Sequence, residues 1–337
     1  MTRREFLAVA ALLGVQALVP TPVFNRRSWN PLSRTQDLLS GEIQSPILEI
    51  PEGARFLFFS PHPDDEVLAA SGLIQRVIED EGKVRVVYMT NGDGYVEGVR
   101  ISCGRTDISP EDYITYGIKR HDEAVKAIEE LGLQSEDGCF LGFPDQGIDS
   151  LWKRFWSSLK PYTSPYTHFS SPDYRTSFER WKKYAGADLD GMIQEIITSF
   201  DPDWIVMPDP RDLHPDHSAT GVFVLNALHK LHERDAFSVA DIDALTYLVH
   251  YPGYPTSNAW KERVEKGGFG GSEEIARVLS GIDWVNMTLT AEEVGKKQLA
   301  IADYKTQIQV LGNFMKQFIR SGETFGVLDT GQIARMA

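Results

Sequence analysis

The sequence predicts an α/β protein with a mostly parallel sheet and helices on both of its faces. Short apolar runs, typical of buried strands, alternate along the chain with amphipathic helical patterns. This alternation favours a parallel sheet whose reactive groups lie at the carboxyl ends of the strands. An aromatic-rich stretch over residues 149–187 interrupts the alternation. We expect it to be an insertion, either a lid or substrate-contacting loop or the core of a small subdomain.

The first predicted strand covers residues 55–60, and the helix that follows covers 66–79 and ends at Gly82, a residue suited to a helix C-terminus. Further strands are predicted from short apolar runs over 84–90, 139–143, 204–207 and 244–251. Further helices are predicted from apolar residues at helical spacing over 111–131, 189–200, 216–232 and 291–320.

Composition limits the class of protein. The chain has 337 residues, of which 42% are hydrophobic, so it can bury a substantial core. Its formal charge of −14 disfavours nucleic acid as the main partner, because phosphate binding needs a basic surface. The two cysteines, Cys103 and Cys139, form no disulfide framework and leave a single bridge open.

The N-terminus predicts export. Arg3 and Arg4 precede an apolar run over residues 8–19 that is short for a membrane span and typical of a signal peptide. The paired arginines resemble a twin-arginine signal, which would make the twin-arginine export machinery a partner and the destination periplasmic or extracellular. An uncleaved membrane anchor is the alternative. We therefore expect an export signal and linker over 1–40 and a single domain over 41–337, with 256–337 as a C-terminal extension.

Two similar turns carry the candidate chemistry. The segment His62-Pro-Asp-Asp-Glu66 directly follows the first predicted strand, and His214-Pro-Asp-His217 follows the strand over 204–207. Each turn opens a predicted helix, at the edge where α/β enzymes have their reactive groups. Aspartate at a helix start is also ordinary capping chemistry. Two matching turns, each with an additional ligand type, favour a metal site over capping.

Two imidazoles and one carboxylate with an open position form the ligand set of a catalytic zinc site. We expect His62, Asp65 and His217 to be the ligands. Asp64 would then be free to accept a proton from water. His214 would stabilise the oxyanion or protonate the departing nitrogen, and Asp216 would hold the tautomer of His214.

These motifs resemble those of the metal-dependent de-N-acetylases that include N-acetylglucosaminyl-phosphatidylinositol deacetylases and LmbE-like bacterial enzymes. Besides the two turns, the matching segments are 90–92, 120–123, 131–132 and 140–145. The resemblance covers roughly residues 52–148 and 190–250. It implies a Rossmann-like fold, a bound Zn²⁺ and hydrolysis of an N-acyl, mainly N-acetyl, group from an amino sugar.

The resemblance also implies residue roles. Asp64 would be the general base, and His214 with Asp216 would form the polarising pair. Arg120 and Asp145 match positions that contact the sugar, although Arg120 could instead lie on a solvated helix face. His250, at the end of a predicted strand, is a further candidate for substrate binding or else a core histidine.

Some members of this family have a tyrosine two residues before the second turn, where this chain has Asp212. The insertion and the tail beyond Pro255 leave the substrate unassigned.

Three other classes of protein fit the sequence less well. A metal-dependent hydrolase of another bond is disfavoured by the lack of a basic cluster. An exported carbohydrate-binding protein with a non-catalytic zinc would not need Asp64 and His214. A dinucleotide-binding oxidoreductase lacks its glycine-rich turn after the first strand.

Overall fold

A long mixed sheet forms the centre of the molecule. The computed structural model of the chain describes residues 32–33, 47–234 and 241–336. The strands are β1 (Leu32–Ser33), β2 (Ile47–Leu48), β3 (Arg55–Ser60), β4 (Lys83–Thr90), β5 (Gly138–Phe143), β6 (Trp204–Pro208), β7 (Asp243–Tyr247), β8 (Asp283–Thr288) and β9 (Gly322–Leu328).

Helices surround this sheet. They are α1 (Asp65–Glu79), α2 (Val96–Cys103), α3 (Pro110–Glu130), α4 (Ile148–Lys153), α5 (Gly186–Phe200), α6 (Pro215–Glu233), α7 (Ala259–Gly267), α8 (Glu273–Val278), α9 (Ala291–Asp303), α10 (Lys305–Met315) and α11 (Thr330–Ile333). Short 3₁₀ turns cover Ser135–Asp137 and Lys316–Phe318. The predicted α/β class is confirmed.

The sheet order is β1-β2-β8-β9-β7-β6-β3-β4-β5. The five strands from β7 to β5 in this order are all parallel, whereas β9 pairs antiparallel with both β7 and β8. The chain leaves β3 towards β4 and β5, and later returns to the other side of β3 through β6. The order therefore reverses between β3 and β6, and in α/β sheets ligands bind outside the carboxyl ends of strands at such a point.

The central strands are apolar because they are covered on both sides. Phe56, Phe58 and Phe59 of β3 and every residue of β6 are buried. Phe56 stacks on Trp204 of the neighbouring strand, with ring centroids 5.2 Å apart. This packing fixes β3 and β6 side by side, and the two turns that follow them therefore start from adjacent positions.

The C-terminal extension differs from the predicted single helix over 291–320, and that prediction is wrong. The chain instead forms α9 and α10, which are separated at Tyr304, where the backbone has φ −76° and ψ 60°. The Tyr304 hydroxyl donates a hydrogen bond to the buried carboxylate of Glu66. This contact draws the chain inward and stops the helix. Strands β8 and β9, which were not predicted from the sequence, extend the sheet through antiparallel pairing.

The aromatic insertion packs largely against the body of the protein. Trp152 and Trp156 contact the ring of Phe223 in α6, and the hydroxyl of Tyr184 donates to the Gly142 carbonyl. Tyr174 donates from its hydroxyl to Asp93. Much of the insertion is thus a structural cover over one side of the sheet.

Cys103 and Cys139 are both free thiols, so the bridge that the sequence left open is absent. The predicted export signal lies outside the described residues. Within the ranges that the structure describes, no helix combines the length and apolarity needed to cross a membrane.

Candidate active site

The first turn begins where β3 ends, and its backbone is strained. Asp64 has φ 134°, a region that residues with a side chain rarely adopt. The strain is balanced by local hydrogen bonds: His62 N–H donates to Asp65 Oδ2 at 3.0 Å, and Asp64 N–H donates to Glu66 Oε2 at 3.2 Å. The Ser60 hydroxyl donates to the His62 carbonyl. The turn therefore holds three consecutive acidic side chains in fixed directions.

The second turn follows β6 and is organised by Asp212. The two carboxylate oxygens of Asp212 accept the backbone N–H groups of His214 at 2.9 Å, Val249 at 2.8 Å and His250 at 2.9 Å. One of them also lies 3.8 Å from His217 Nδ1. Asp212 therefore joins the second turn to the segment after β7, and it brings His250 to the same edge of the sheet as the predicted site.

The two turns converge as the sequence predicts. Asp65 Oδ2 lies 3.3 Å from His62 Nδ1 and 3.1 Å from His217 Nε2. His217 is fully buried, and neither of its ring nitrogens makes a well-aligned hydrogen bond, although Asp65 Oδ2 lies close to Nε2. A buried imidazole whose nitrogens are poorly satisfied is costly, which makes this position suited to a metal ion. The donor set of two imidazoles and a carboxylate matches that of catalytic zinc sites.

Neighbouring groups extend this donor set. Three overlapping triads could each hold a metal ion: His62 with His214 and His217, Asp65 with His217 and His250, and His62 with Asp145 and Asp216. In each triad the candidate ligand atoms lie within 4.8 Å of one another. Each of the three predicted ligands occurs in at least one of these triads, but none of the three triads contains His62, Asp65 and His217 together.

Asp216 does not lie where the sequence interpretation expected it. Its carboxylate contacts His62 Nε2 at 3.4 Å and accepts the N–H groups of Gln146 at 2.6 Å and Ile148 at 3.0 Å. Only the backbone N–H of Asp216 reaches His214, at Nδ1. The expected support of the His214 tautomer by this carboxylate is therefore corrected, because two backbone donors after β5 hold the side chain against His62.

Asp145 shares the same imidazole. Its Oδ1 lies 3.2 Å from His62 Nε2, and its Oδ2 accepts the Gly94 N–H at 2.7 Å. Burial alone would lower the pKa of His62, but the hydrogen bonds to Asp145 and Asp216 raise it well above its usual range. Carboxylates that accept from one imidazole nitrogen orient the ring and increase the basicity of the other nitrogen. Asp145 thus supports His62 as well as lining the cavity.

Arg120 is buried, with 3% of its surface exposed, so the alternative of a solvated helix face is wrong. Its guanidinium lies 3.2 Å from Asp64 Oδ2 and donates to the carbonyls of Pro63 and Gly92. Burial raises the pKa of Asp64 to about 8, and the charge of Arg120 opposes this shift. The arginine therefore fixes the candidate base in position.

His214 and His250 lie side by side above the cluster. Their ring centroids are 5.2 Å apart, and His214 is 4.8 Å from the His62 ring. Burial and neighbouring histidines lower the pKa of His214 to about 2 and that of His250 to about 4. His250 also stacks face to face on Phe314, with centroids 5.3 Å apart. His250 thus lines the same cavity as the predicted site, and its contact with substrate stays a prediction.

A cavity of about 250 Å³ opens at this cluster. Its lining comprises His62, Asp64, Asp65, Leu68, Tyr95, Arg120, Asp145, Gln146, His214, His250, Gln307, Leu311, Phe314 and Met315. Four of them belong to α10 and were not predicted as site residues: Gln307, Leu311, Phe314 and Met315. Leu68 could have been found, because it lies one helical turn after Asp65. No local signal marks the α10 residues, which reach the site only through the tertiary fold.

The fold and the site together define an α/β protein with a buried histidine and carboxylate cluster suited to a metal ion. The chain belongs to the PIG-L family, described as GlcNAc-PI de-N-acetylase, whose profile matches residues 57–228, just over half of the chain.

A glucosamine-6-phosphate deaminase-like protein of Bacteroides thetaiotaomicron is 42% identical over 43 residues, which are 13% of this chain. The match spans only 6% of that protein's length. Among solved structures, a deacetylase of teicoplanin biosynthesis in its bog complex aligns with a TM-score of 0.52 and 18% identity. The alignment covers 82% of this chain and 98% of that chain. The complex of a deacetylase with teicoplanin gives 0.50 and 18%, over 81% and 97% of the two chains. At this identity, the similarity concerns the fold.

Proposed function

We propose that this protein is a zinc-dependent hydrolase that removes an N-acyl group, with acetyl as the simplest case, from an amino sugar or amino-sugar conjugate. One observation supports this proposal most directly. A single carboxylate oxygen of Asp65 contacts the imidazoles of His62 and His217, one from each turn. The adjacent Asp64 lines the cavity beside Arg120. Family membership and the fold shared with the teicoplanin deacetylases support this chemistry.

We assign the metal to His62 Nδ1, a carboxylate oxygen of Asp65 and His217 Nε2, because Asp65 Oδ2 lies 3.3 Å from the first nitrogen and 3.1 Å from the second. A zinc ion there would polarise the acyl carbonyl and make water more acidic. His62 would keep its Nε2–H directed at Asp145 and Asp216, in the arrangement that fixes the tautomer of metal-binding histidines. Asp216 is therefore a positioning residue for His62 in this proposal.

The protein side chains manage the protons. Asp64 accepts a proton from the attacking water at its carboxylate, held by the Arg120 guanidinium. The water oxygen bonds to the acyl carbon, and the neutral His214 imidazole donates a hydrogen bond to the developing oxyanion. The C–N bond then breaks, and the sugar nitrogen takes up the proton that Asp64 holds and leaves as an amine. The acyl group leaves as a carboxylic acid, which releases its remaining proton to the amine or to solvent.

The sugar is proposed to lie at the polar side of the cavity, where Arg120, Asp145 and Gln146 occur together. His250 is proposed to contact the substrate beside His214. The teicoplanin complex belongs to another protein, a deacetylase, and supports only deacetylation as the general class of reaction. Export by the twin-arginine route is proposed from Arg3 and Arg4 and from the apolar run over residues 8–19 that follows them.

The test separates metal binding from proton transfer. Purified protein should contain about one zinc per chain, measured by atomic emission, and should release acetate from N-acetyl amino sugars. Asp64→Asn should keep the metal and lose turnover by about 10²–10⁴-fold, the usual contribution of a general base. His62→Ala should lose the metal. If Asp64→Asn stayed fully active, the base assignment would be wrong; a protein with bound zinc but without turnover of any amide would favour a binding role.

A further inference from the structure

The lining of the reactive cavity combines two chemically different groups of residues. Polar residues, among them Arg120, Asp145 and Gln146, belong to one group. The other group comprises Leu68 of α1 and Leu311, Phe314 and Met315, which lie at helical spacing on one face of α10. We define these last four residues as the apolar wall. The N-acetyl group of the simplest substrate would offer it one methyl, which leaves most of the wall without a matching surface.

Helix α10 is fixed firmly enough to shape a substrate. Glu123 accepts the Thr306 N–H at 3.0 Å and its hydroxyl at 2.6 Å, which satisfies free groups in the first turn of α10. The amide of Gln307 donates to the Tyr116 hydroxyl at 2.9 Å. With Tyr304 bound to Glu66, the start of α10 is tied to both α1 and α3. The apolar wall is thus a built part of the site.

The wall is poorly suited to a sugar ring. Sugar hydroxyls need hydrogen-bond partners, and a hydroxyl buried without one costs about 1–3 kcal/mol. The polar side chain that α10 contributes to the lining is Gln307, whose amide nitrogen donates to Tyr116. Leu311, Phe314 and Met315 offer sugar hydroxyls no strong hydrogen-bond partner, so a hydrocarbon group fits this part of α10 better than a sugar ring does.

The position of the reacting bond decides which part of the substrate this is. The amide carbon has to lie at the cluster of Asp64, His214 and the proposed metal ligands, which lines the same cavity as the apolar wall. If the polar side holds the sugar, the group beyond the amide carbon is the acyl chain. The face-to-face contact of His250 with Phe314 makes the wall continuous with the cluster.

We propose that this site is built for N-acyl groups longer than acetyl, with the apolar wall as the acyl-chain subsite. This inference rests on the proposed N-deacylase function and names its substrate class. The specificity-determining residues are Leu68, Leu311, Phe314 and Met315. The C-terminal extension, through α10, supplies three of these four.

The test uses the full, metal-loaded chain with N-acetyl-, N-butyryl-, N-hexanoyl- and N-octanoylglucosamine, and it measures the released amine. Each added methylene should raise kcat/KM about fourfold until the chain fills the subsite, from the usual gain of burying a methylene. Leu311→Asp should lower kcat/KM for the hexanoyl substrate at least tenfold more than for the acetyl substrate. The matched control is Leu299→Asp, at a site on α9 that is 56% exposed, and it should leave the ratio unchanged.

The outcomes distinguish the inference from the proposed function. Preference for acetyl, or an equal effect of Leu311→Asp on all chain lengths, would overturn the inference and leave the deacylase assignment intact. If N-acetylglucosamine with a hexyl aglycone instead showed the higher kcat/KM and lost it in Leu311→Asp, the apolar wall would bind the aglycone. Its assignment to the acyl chain would then be wrong. Failure to cleave any member, with zinc bound, would overturn both. Thermal melts of each variant verify that it is folded.

Discussion

Glu323 of β9 offers a sharp test of how the C-terminal extension supports the site. Helix α1 is interrupted at Ala70, which has φ −144° and ψ 22°. Just after this kink, Glu323 accepts the backbone N–H groups of Gly72 at 3.0 Å and Leu73 at 3.1 Å. The same carboxylate pairs with the Lys297 ammonium at 2.9 Å. Both charged side chains are only 1% exposed.

The expected cost of Glu323→Ala follows from these contacts. Removing one partner of a buried ion pair costs about 3–5 kcal/mol, because the other charge stays buried without compensation. Two backbone N–H groups also lose their acceptor, and each buried, unsatisfied group costs about 1–3 kcal/mol. Water that enters the space will recover part of this. We therefore expect a loss of about 4–6 kcal/mol in the free energy of unfolding.

The assay is urea unfolding of the metal-free full chain, so that metal binding does not contribute. Glu323→Gln, which keeps an acceptor oxygen, should cost less than Glu323→Ala. The control is Glu292→Ala in α9, where the exposed pair with Lys296 is 3.5 Å long and should contribute under about 0.5 kcal/mol. If the free energy of unfolding of Glu323→Ala lay within about 1 kcal/mol of that of the unchanged chain, the role of this carboxylate as the cap of the kink would be refuted.

Three further substitutions test other contacts. Asp216→Asn should weaken zinc affinity by about 10–100-fold in chelator competition, because Asp216 orients His62; unchanged affinity with reduced turnover would return it to the expected role beside His214. Gly92→Ala should reduce turnover at least about tenfold and destabilise the chain by more than about 1 kcal/mol, since Gly92 has φ +63° and an added Cβ would lie 1.9 Å from Arg120 Nη1; normal kinetics and unfolding would contradict this. Thr306→Val should cost about 1–3 kcal/mol in urea unfolding by leaving a buried carboxylate oxygen unmatched; an unchanged midpoint would argue that water replaces the hydroxyl.

The central fold was predictable because its signals are local. The apolar run over 55–60 gave β3 with the bounds that the structure has, and the helix over 66–79 begins one residue earlier, at Asp65. Since each turn directly follows a strand or lies a few residues beyond it, parallel pairing was enough to bring His62 and His217 to one edge. The predicted cluster follows from short-range patterns and one rule of sheet topology.

The remainder depends on contacts between distant segments, which periodicity does not contain. Arg120 lies on a helix whose sequence is compatible with solvent, yet the strained Asp64 turn and the Gly92 carbonyl draw it into the interior. Residues 291–320 have helical spacing throughout, but Tyr304 turns inward to Glu66 and ends the first of two helices. The contact of Asp216 with His62 depends on the segment after β5, because the backbone N–H groups of this segment bind the Asp216 carboxylate and hold it there.

The family profile ends at residue 228, but the site does not. Beyond that point the chain supplies His250 beside His214, the Tyr304 contact beneath the first turn, and the apolar wall on α10. The matched region thus contains the proposed metal ligands and the candidate base. The region after it limits what can occupy the cavity. Relatives that share both turns can therefore differ in substrate. For this chain, the contacts that α10 makes in the cavity are the place to look for what determines its substrate.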